Sequence, residues 1–114
     1  MKYKHICFEY ERCLDSNPKV LKMCQALLKL RFGVFIVTDL PEDEFRYRLT
    51  DFALDNGIYH RNIIFNNKKE KDDAFFKRNG FNLYVTNNEF EVAAINAGKS
   101  TPVACHMPYG KLNP

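Results

Sequence analysis

The sequence has no apolar run that approaches the roughly 20 residues of a membrane-spanning helix. Its amino terminus also lacks the apolar core of a secretory signal peptide. We therefore expect no membrane partner and a cytoplasmic location. Tryptophan is absent as well, so that ten Phe and six Tyr residues supply the bulky side chains for a core.

An excess of charge of one sign is also missing. Lys and Arg number 17 against 14 Asp and Glu, and both signs are interspersed along the chain. The densest basic stretch, residues 68–78, is interrupted by Glu70, Asp72 and Asp73. This distribution is typical of a solvated helix start rather than of a surface that follows nucleic acid. Nucleic-acid binding through this stretch and exposed aromatic rings remains the third of three functional alternatives.

The Cys and His residues lack the paired spacing that is typical of a zinc site. The histidines are His5, His60 and His106, and the cysteines are Cys7, Cys13, Cys24 and Cys105. For the cysteines we expect reduced, buried thiols, since disulfides are rare in cytosolic proteins.

The composition is that of one ordinary globular domain. Hydrophobic residues make up 46% and charged residues 27% of 114 residues, without internal repeats or low-complexity segments. We therefore predict a single domain over residues 1–114.

Five short apolar runs alternate with four amphipathic segments. The predicted strands cover residues 3–10, 34–37, 62–65, 83–85 and 102–105. The predicted helices cover residues 18–31 and 89–97, and two more lie between the second, third and fourth strands. This alternation predicts an α/β fold, a three-layer α/β/α sandwich with a five-stranded parallel, Rossmann-like sheet. The pattern does not give the order of the strands.

Local signals predict further details of the first and last helices. Ser16 or Asn17 can cap the first helix, Pro18 fits its first position, and Gly33 is predicted to end it. In the last helix we expect Phe90, Ala93 and Ala94 to face inward.

Two carboxylates, Glu9 and Glu11, stand one residue apart at the end of the first strand. Residues i and i+2 of a strand project to the same side. Both acids are then expected in the crevice beyond the carboxyl end of the sheet, where α/β folds bind ligands. The alternative is a pair of solvated turn acids.

In this layout the chain resembles a minimal, capless member of the haloacid dehalogenase-like (HAD) hydrolase superfamily with degenerate motifs. The first motif of that family, an apolar strand ending Asp-x-Asp-Gly-Thr-Leu, corresponds here to Ile6-Cys-Phe-Glu-Tyr-Glu-Arg-Cys-Leu14. Thr38 matches the Thr or Ser that ends the next strand, and Lys71, or next Lys69, matches the lysine of the third motif. The fourth motif has two acids, and here Thr86 and Asn87 stand in their place, before a helix that ends in Asn-Ala-Gly98.

The resemblance implies a Mg²⁺-requiring phosphatase site. In the family the first acid attacks phosphorus and the second protonates the leaving group, which implies Glu9 and Glu11 as the catalytic pair. It also implies Thr38 and Lys71 as phosphate-binding residues, and Glu9, Glu11 and Asn87 as the remains of a magnesium site. The alternatives for Thr38 and Lys71 are a hydroxyl that caps the next turn and an exposed lysine at a helix start.

The substitutions weaken this chemistry. Each Glu adds a methylene to the family's Asp, and a displacement of about 1 Å can cost on the order of 100-fold in rate. Thr86 and Asn87 bring no charge to a cation that prefers carboxylates. Our first hypothesis is therefore a pseudoenzyme without a cofactor, a binding or regulatory module for a protein partner or a phosphorylated ligand. The alternative is a weak or altered phosphomonoesterase that uses Glu9, Glu11 and Mg²⁺.

Overall fold

A computed structural model describes residues 5–97 and 103–106 of the chain. The strands are β1 (His5–Glu9), β2 (Gly33–Thr38), β3 (Ile63–Phe65), β4 (Leu83–Thr86) and β5 (Val103–His106). The helices are α1 (Pro18–Lys29), α2 (Glu42–Asp55), α3 (Asp73–Asn79) and α4 (Glu89–Ala97). A tight turn, Tyr10–Leu14, joins β1 to α1, and a short 3-10 turn, His60–Asn62, precedes β3. Of β5 only the backbone is described, and the predicted ends of the first and fifth strands at residues 3, 4 and 102 lie outside the described residues.

The strands form one parallel sheet in the order β3-β2-β1-β4-β5. β1 lies in the centre, where Phe8 pairs with Ile36 of β2 and with Val85 of β4. The prediction of an α/β fold with a parallel, Rossmann-like sheet is therefore confirmed. The chain builds the sheet outward from β1 to β3 on one side and then crosses to β4 on the other. This reversal between β1 and β4 is the topological switch point at which such sheets place their ligands.

Alternate side chains of the central strands enter two apolar clusters. Phe8 and Ile36 belong to the cluster that contains Val20 of α1 and Leu49 of α2. Cys7, Val37 and Tyr84 belong to the other cluster, with Phe75 and Phe76 of α3 and Ile95 of α4. Because successive strand residues point to opposite faces, α1 and α2 cover one face and α3 and α4 cover the other.

The start of α1 agrees with its predicted capping. Asn17 accepts a hydrogen bond from the Lys19 amide at 3.0 Å, and Pro18 takes the first helical position. The prediction that Gly33 ends this helix was wrong, because α1 ends at Lys29 and the left-handed turn falls on Arg31 (φ 67°). Gly33 begins β2 instead, where an added Cβ would lie 2.8 Å from Cδ2 of His5.

Helix α4 has its predicted bounds but not its predicted orientation. We expected Phe90, Ala93 and Ala94 to face inward, yet Phe90 is 80% exposed and both alanines are exposed. Ile95 is the buried residue of this helix. The polar contacts of Glu91, described below, fix which side of α4 faces the sheet.

The edge strand β3 is only three residues long. Asn62, immediately before it, donates its side-chain amide to the carbonyl of Val34 at 3.0 Å. A side chain thus continues the contact with β2 where the backbone pairing ends.

The cysteine side chains that are described, Cys7, Cys13 and Cys24, are buried thiols, as predicted. Burial raises the pKa of Cys7 well above its usual range and that of Cys24 to about 12, so neither forms a reactive thiolate at neutral pH. Among the described helices, none has the length and apolar character needed to cross a membrane.

Two leucines of α2 test the assignment of its buried face. Leu49 is fully buried and Leu54 is 61% exposed. Leu49→Ala should lower the free energy of unfolding by about 3 kcal/mol, since it leaves a cavity in the core. Leu54→Ala should change it by less than about 0.5 kcal/mol. Urea denaturation of both variants measures the difference, and equal losses would contradict this orientation of α2.

Candidate functional site

A cleft of about 430 Å³ opens at the switch point, beyond the carboxyl ends of β1 and β4. Its lining comes from the turn after β1 and from the start of α4. The residues are Glu9, Glu11, Arg12, Asn87, Asn88, Glu89 and Phe90. The structure therefore brings both predicted catalytic acids and the predicted metal ligand Asn87 into one cleft.

Glu9 and Glu11 reach this cleft by a different route from the one we expected. β1 ends at Glu9, so strand alternation does not place Glu11. The β1–α1 turn leaves helical geometry at Glu11 (ψ 131°) and at Arg12, which has a left-handed backbone (φ 57°). The side chain of Asn87 donates a hydrogen bond to the Arg12 carbonyl and so ties the turn to the end of β4.

Glu9 is bound on the β4 side of the cleft. The Thr86 hydroxyl, which is fully buried, donates to Oε1 of Glu9 at 2.7 Å. The same hydroxyl accepts a hydrogen bond from the Asn88 amide at 3.1 Å. Thr86, which stands where the resemblance implies an acid, is therefore the partner of the acid that ends β1.

Glu11 makes the equivalent contact on the β2 side. The Thr38 hydroxyl, 2% exposed, donates to Oε1 of Glu11 at 2.6 Å, and the Asp39 amide donates to Oε2 at 2.9 Å. Thr38 also accepts from the Leu40 amide at 3.1 Å, which is the turn-capping role that we considered as its alternative. The two carboxylates therefore turn toward opposite neighbours of β1.

The environment of Glu9 disfavours its charged form. Burial raises the pKa of this carboxyl, the hydrogen bond from Thr86 opposes the rise, and the nearby Glu91 carboxylate adds to it. The net result is a pKa above the usual value for glutamate.

The side chain of Lys71 is largely covered, with 8% exposed, so that the alternative of an exposed helix-start lysine was wrong. Its ammonium group lies 3.0 Å from Oε2 of Glu91 and 4.0 Å from Oδ2 of Asp39. The Tyr84 hydroxyl donates to the other oxygen of Glu91 at 2.8 Å. Burial by itself lowers the pKa of Lys71. The ion pair and hydrogen bond with Glu91, together with attraction to Asp39 and Glu9, outweigh burial and raise the pKa, so Lys71 is charged at neutral pH. Lys69, our second choice, is exposed.

Glu91 is the member of this set that we did not predict from the sequence. Asn88 and Glu91 have the Asn-x-x-Glu spacing of a helix capping box. Asn88 does cap α4, accepting from the amides of Phe90 and Glu91 at 3.0 and 3.1 Å. Glu91, however, turns to Lys71 and Tyr84, and capping spacing alone does not indicate that contact.

The magnesium site that the resemblance implies does not fit the residues present. Within the described part of the chain, no group of three or more His, Cys, Asp or Glu residues is placed to hold a metal ion. Both oxygens of Glu11 already accept hydrogen bonds, and Thr86 is neutral. Mg²⁺ needs near-octahedral oxygen ligation that rests on carboxylates. We therefore assign no chemical step to a metal here.

Comparison with protein-family models, with curated proteins and with solved structures gave no significant match to this chain.

Because the pKa of Glu9 is raised, Glu9→Gln should increase the free energy of unfolding by an amount that depends on pH. Protonated Glu9 contributes stability that is fully present below the unfolded pKa of about 4.3 and is lost as pH rises through the higher folded pKa. Glutamine does not titrate, so the free energy of unfolding of Glu9→Gln relative to wild type should increase over this window and then level off. Thr86→Val removes a hydrogen bond that lowers this pKa, and should move the Glu9 titration to higher pH in carboxyl NMR. A difference between Glu9→Gln and wild type that is constant with pH would contradict the assignment.

The two candidate lysines should differ sharply in their effect on stability. Lys71→Met leaves the Glu91 and Asp39 carboxylates without their buried cation and should cost about 2 to 3 kcal/mol. Lys69→Met, at an exposed position, should cost less than about 0.5 kcal/mol. Urea denaturation at neutral pH measures both, and a Lys71→Met protein as stable as Lys69→Met would show that the ion pair has no structural role.

Proposed function

We propose that this chain is a cytoplasmic, non-catalytic binding module built on a HAD-like three-layer fold with a five-stranded sheet, and that it binds a protein partner at the switch-point cleft. The observation that carries the proposal is the pairing of each candidate catalytic carboxylate with a buried threonine. Glu9 is paired with Thr86, and Glu11 with Thr38.

This pairing works against catalysis at both carboxylates. A nucleophile must be ionised, and the raised pKa of Glu9 reduces its ionised fraction. A general acid must reach the leaving group, and both oxygens of Glu11 are held by Thr38 and Asp39. The hydroxyl of Thr38 is likewise engaged as donor and as acceptor, so a phosphate would have to displace Glu11 to bind it.

The charges around the cleft favour a protein over a phosphorylated ligand. Its lining carries three carboxylates, Glu9, Glu11 and Glu89, against the single guanidinium of Arg12. Lys71, which the resemblance implies as the phosphate-binding cation, is neutralised by Glu91 and Asp39. The net negative charge of the cleft would repel a phosphate group and would attract a basic side chain of a partner.

An aromatic side chain supports the same choice. Phe90 lines the cleft and is 80% exposed at the start of α4. Aromatic residues are enriched in protein interfaces, where they supply apolar contact area. Phe90 therefore gives the cleft an apolar contact for a partner surface beside its carboxylates.

A weak phosphomonoesterase remains the second candidate function, because both carboxylates do line one cleft. In that case Glu9 must exchange its bond with Thr86 for an attack on phosphorus, and Glu11 must leave Thr38. The two functions differ in whether Glu9→Gln removes a measurable activity.

Calorimetric titration with Mg²⁺, with and without tungstate as a phosphate mimic, separates these functions. For the binding module we expect no heat of metal-dependent tungstate binding, in wild type or in Glu9→Gln. The same two proteins should show equal, background hydrolysis of an aryl phosphate. Metal-dependent tungstate binding that is lost in Glu9→Gln, together with turnover that is lost in the same variant, would overturn the proposal in favour of the enzyme.

A further inference from the structure

The side of α1 that points away from the sheet is basic. Val20 and Cys24 are the buried residues of this helix. Lys22, Ala26 and Lys29 lie on the opposite side at i, i+4 and i+7, and all three are exposed. The helix contains no acidic residue. We call these three exposed residues the α1 stripe, in which a small side chain stands between two lysines.

Helix α2 has the same spacing with the opposite charge. Leu49 and Ala53 are its buried residues. Tyr47, Asp51 and Leu54 lie on the other side at i, i+4 and i+7, with Tyr47 81% and Leu54 61% exposed. The helix carries five acidic residues against two arginines. We call these three exposed residues the α2 stripe, in which an acid stands between two large apolar side chains.

The two stripes are neighbours on one surface, and their charges are not paired with each other. Both helices cover the same face of the sheet, and the side-chain amide of Gln25 donates to Oδ1 of Asn56 at 3.4 Å. Helices that follow parallel strands on one face run in the same direction, so both stripes point outward. Among the residues that the structure describes, Lys22, Lys29 and Asp51 form no salt bridge.

We propose that this surface is an interface between two copies of the chain, in which the α1 stripe of each copy packs on the α2 stripe of the other. A two-fold axis between the helices and parallel to them produces this arrangement, and each complementary contact is then made twice. The lysine stems of one copy cover Tyr47 and Leu54 of the other, and their ammonium groups approach Asp51. Ala26 leaves room for the tyrosine ring.

A second copy is the occupant that the charges favour, because the chain itself carries both complementary stripes in the same spacing. No residue of either stripe lines the switch-point cleft. The inference therefore goes beyond the proposed function and does not depend on it.

Sedimentation velocity of the purified protein tests whether the dimer forms. A concentration series up to about 1 mM covers weak complexes. We expect the wild-type protein to shift from monomer to dimer along this series. A wild-type protein that sediments as a monomer throughout would overturn the inference.

Charge reversal tests which surfaces meet. Asp51→Lys makes both stripes basic, and Lys22→Glu/Lys29→Glu makes both acidic. Each variant alone should dimerise at least about tenfold more weakly than wild type, since like charges then face each other. An equimolar mixture of the two should recover the dimer, because opposite charges meet at both contacts. Lys69→Glu/Lys77→Glu reverses two exposed charges outside both helices and should dimerise as wild type does. A mixture that stays monomeric where wild type dimerises contradicts the proposed packing.

Two aromatic truncations separate this interface from the cleft. Tyr47→Ala should weaken the dimer at least about tenfold, since large aromatic side chains dominate the energy of interfaces. Phe90→Ala removes a ring that is 80% exposed at the cleft, and should leave the dimer unchanged. Weaker dimerisation of Phe90→Ala but not of Tyr47→Ala would place the contact at the cleft and would refute the α1–α2 interface.

Discussion

Two hydrogen bonds between a threonine hydroxyl and a carboxylate join the end of the central strand to both of its neighbours. Thr86 binds Glu9 on the β4 side, and Thr38 binds Glu11 on the β2 side. Both hydroxyls are buried, so each needs a partner. Each obtains a carboxyl oxygen as acceptor and a backbone amide two residues further along the chain as donor. The path of the β1–α1 turn follows from this requirement, because only a sharp change of direction after Glu9 lets Glu11 face the other strand.

A second polar set orients the elements on the face of the sheet that α3 and α4 cover. Lys71, Glu91 and Tyr84 connect the loop before α3, helix α4 and strand β4 through one ion pair and one hydroxyl contact. Tyr84 also belongs to the aromatic cluster under α3 and α4, so that its hydroxyl carries the polar contact at the edge of an apolar core. The rotation of α4 is thereby set by Glu91, and Phe90 is directed to the cleft as a consequence.

Local patterns in the sequence were sufficient for the α/β class, for the bounds of most elements and for the position of Glu9, Glu11 and Asn87 near the carboxyl end of the sheet. These predictions used local signals, namely apolar runs, the Asn17-Pro18 helix start and polar residues at strand ends. Predictions from local signals are correct where the packing of the fold agrees with them. The errors arose where a distant partner decides the outcome. The alternation of side chains along a strand predicted that Glu11 lies in the cleft, and it does. The reason was wrong, because the position of Glu11 depends on its hydrogen bond with Thr38. The side of α4 that faces inward depends on the contact between Glu91 and Lys71, which are 20 residues apart in the sequence. The spacing of apolar residues within α4 does not indicate this contact.

The short edge strand β3 has a bearing on how copies of this protein meet. An exposed strand edge is a template for intermolecular pairing, and the tendency to aggregate increases with the number of consecutive unpaired backbone groups. β3 offers three residues, and the residue before it uses its side chain to bind Val34. Strand addition at this edge would gain few hydrogen bonds, so the short length of β3 protects the sheet there against linear aggregation.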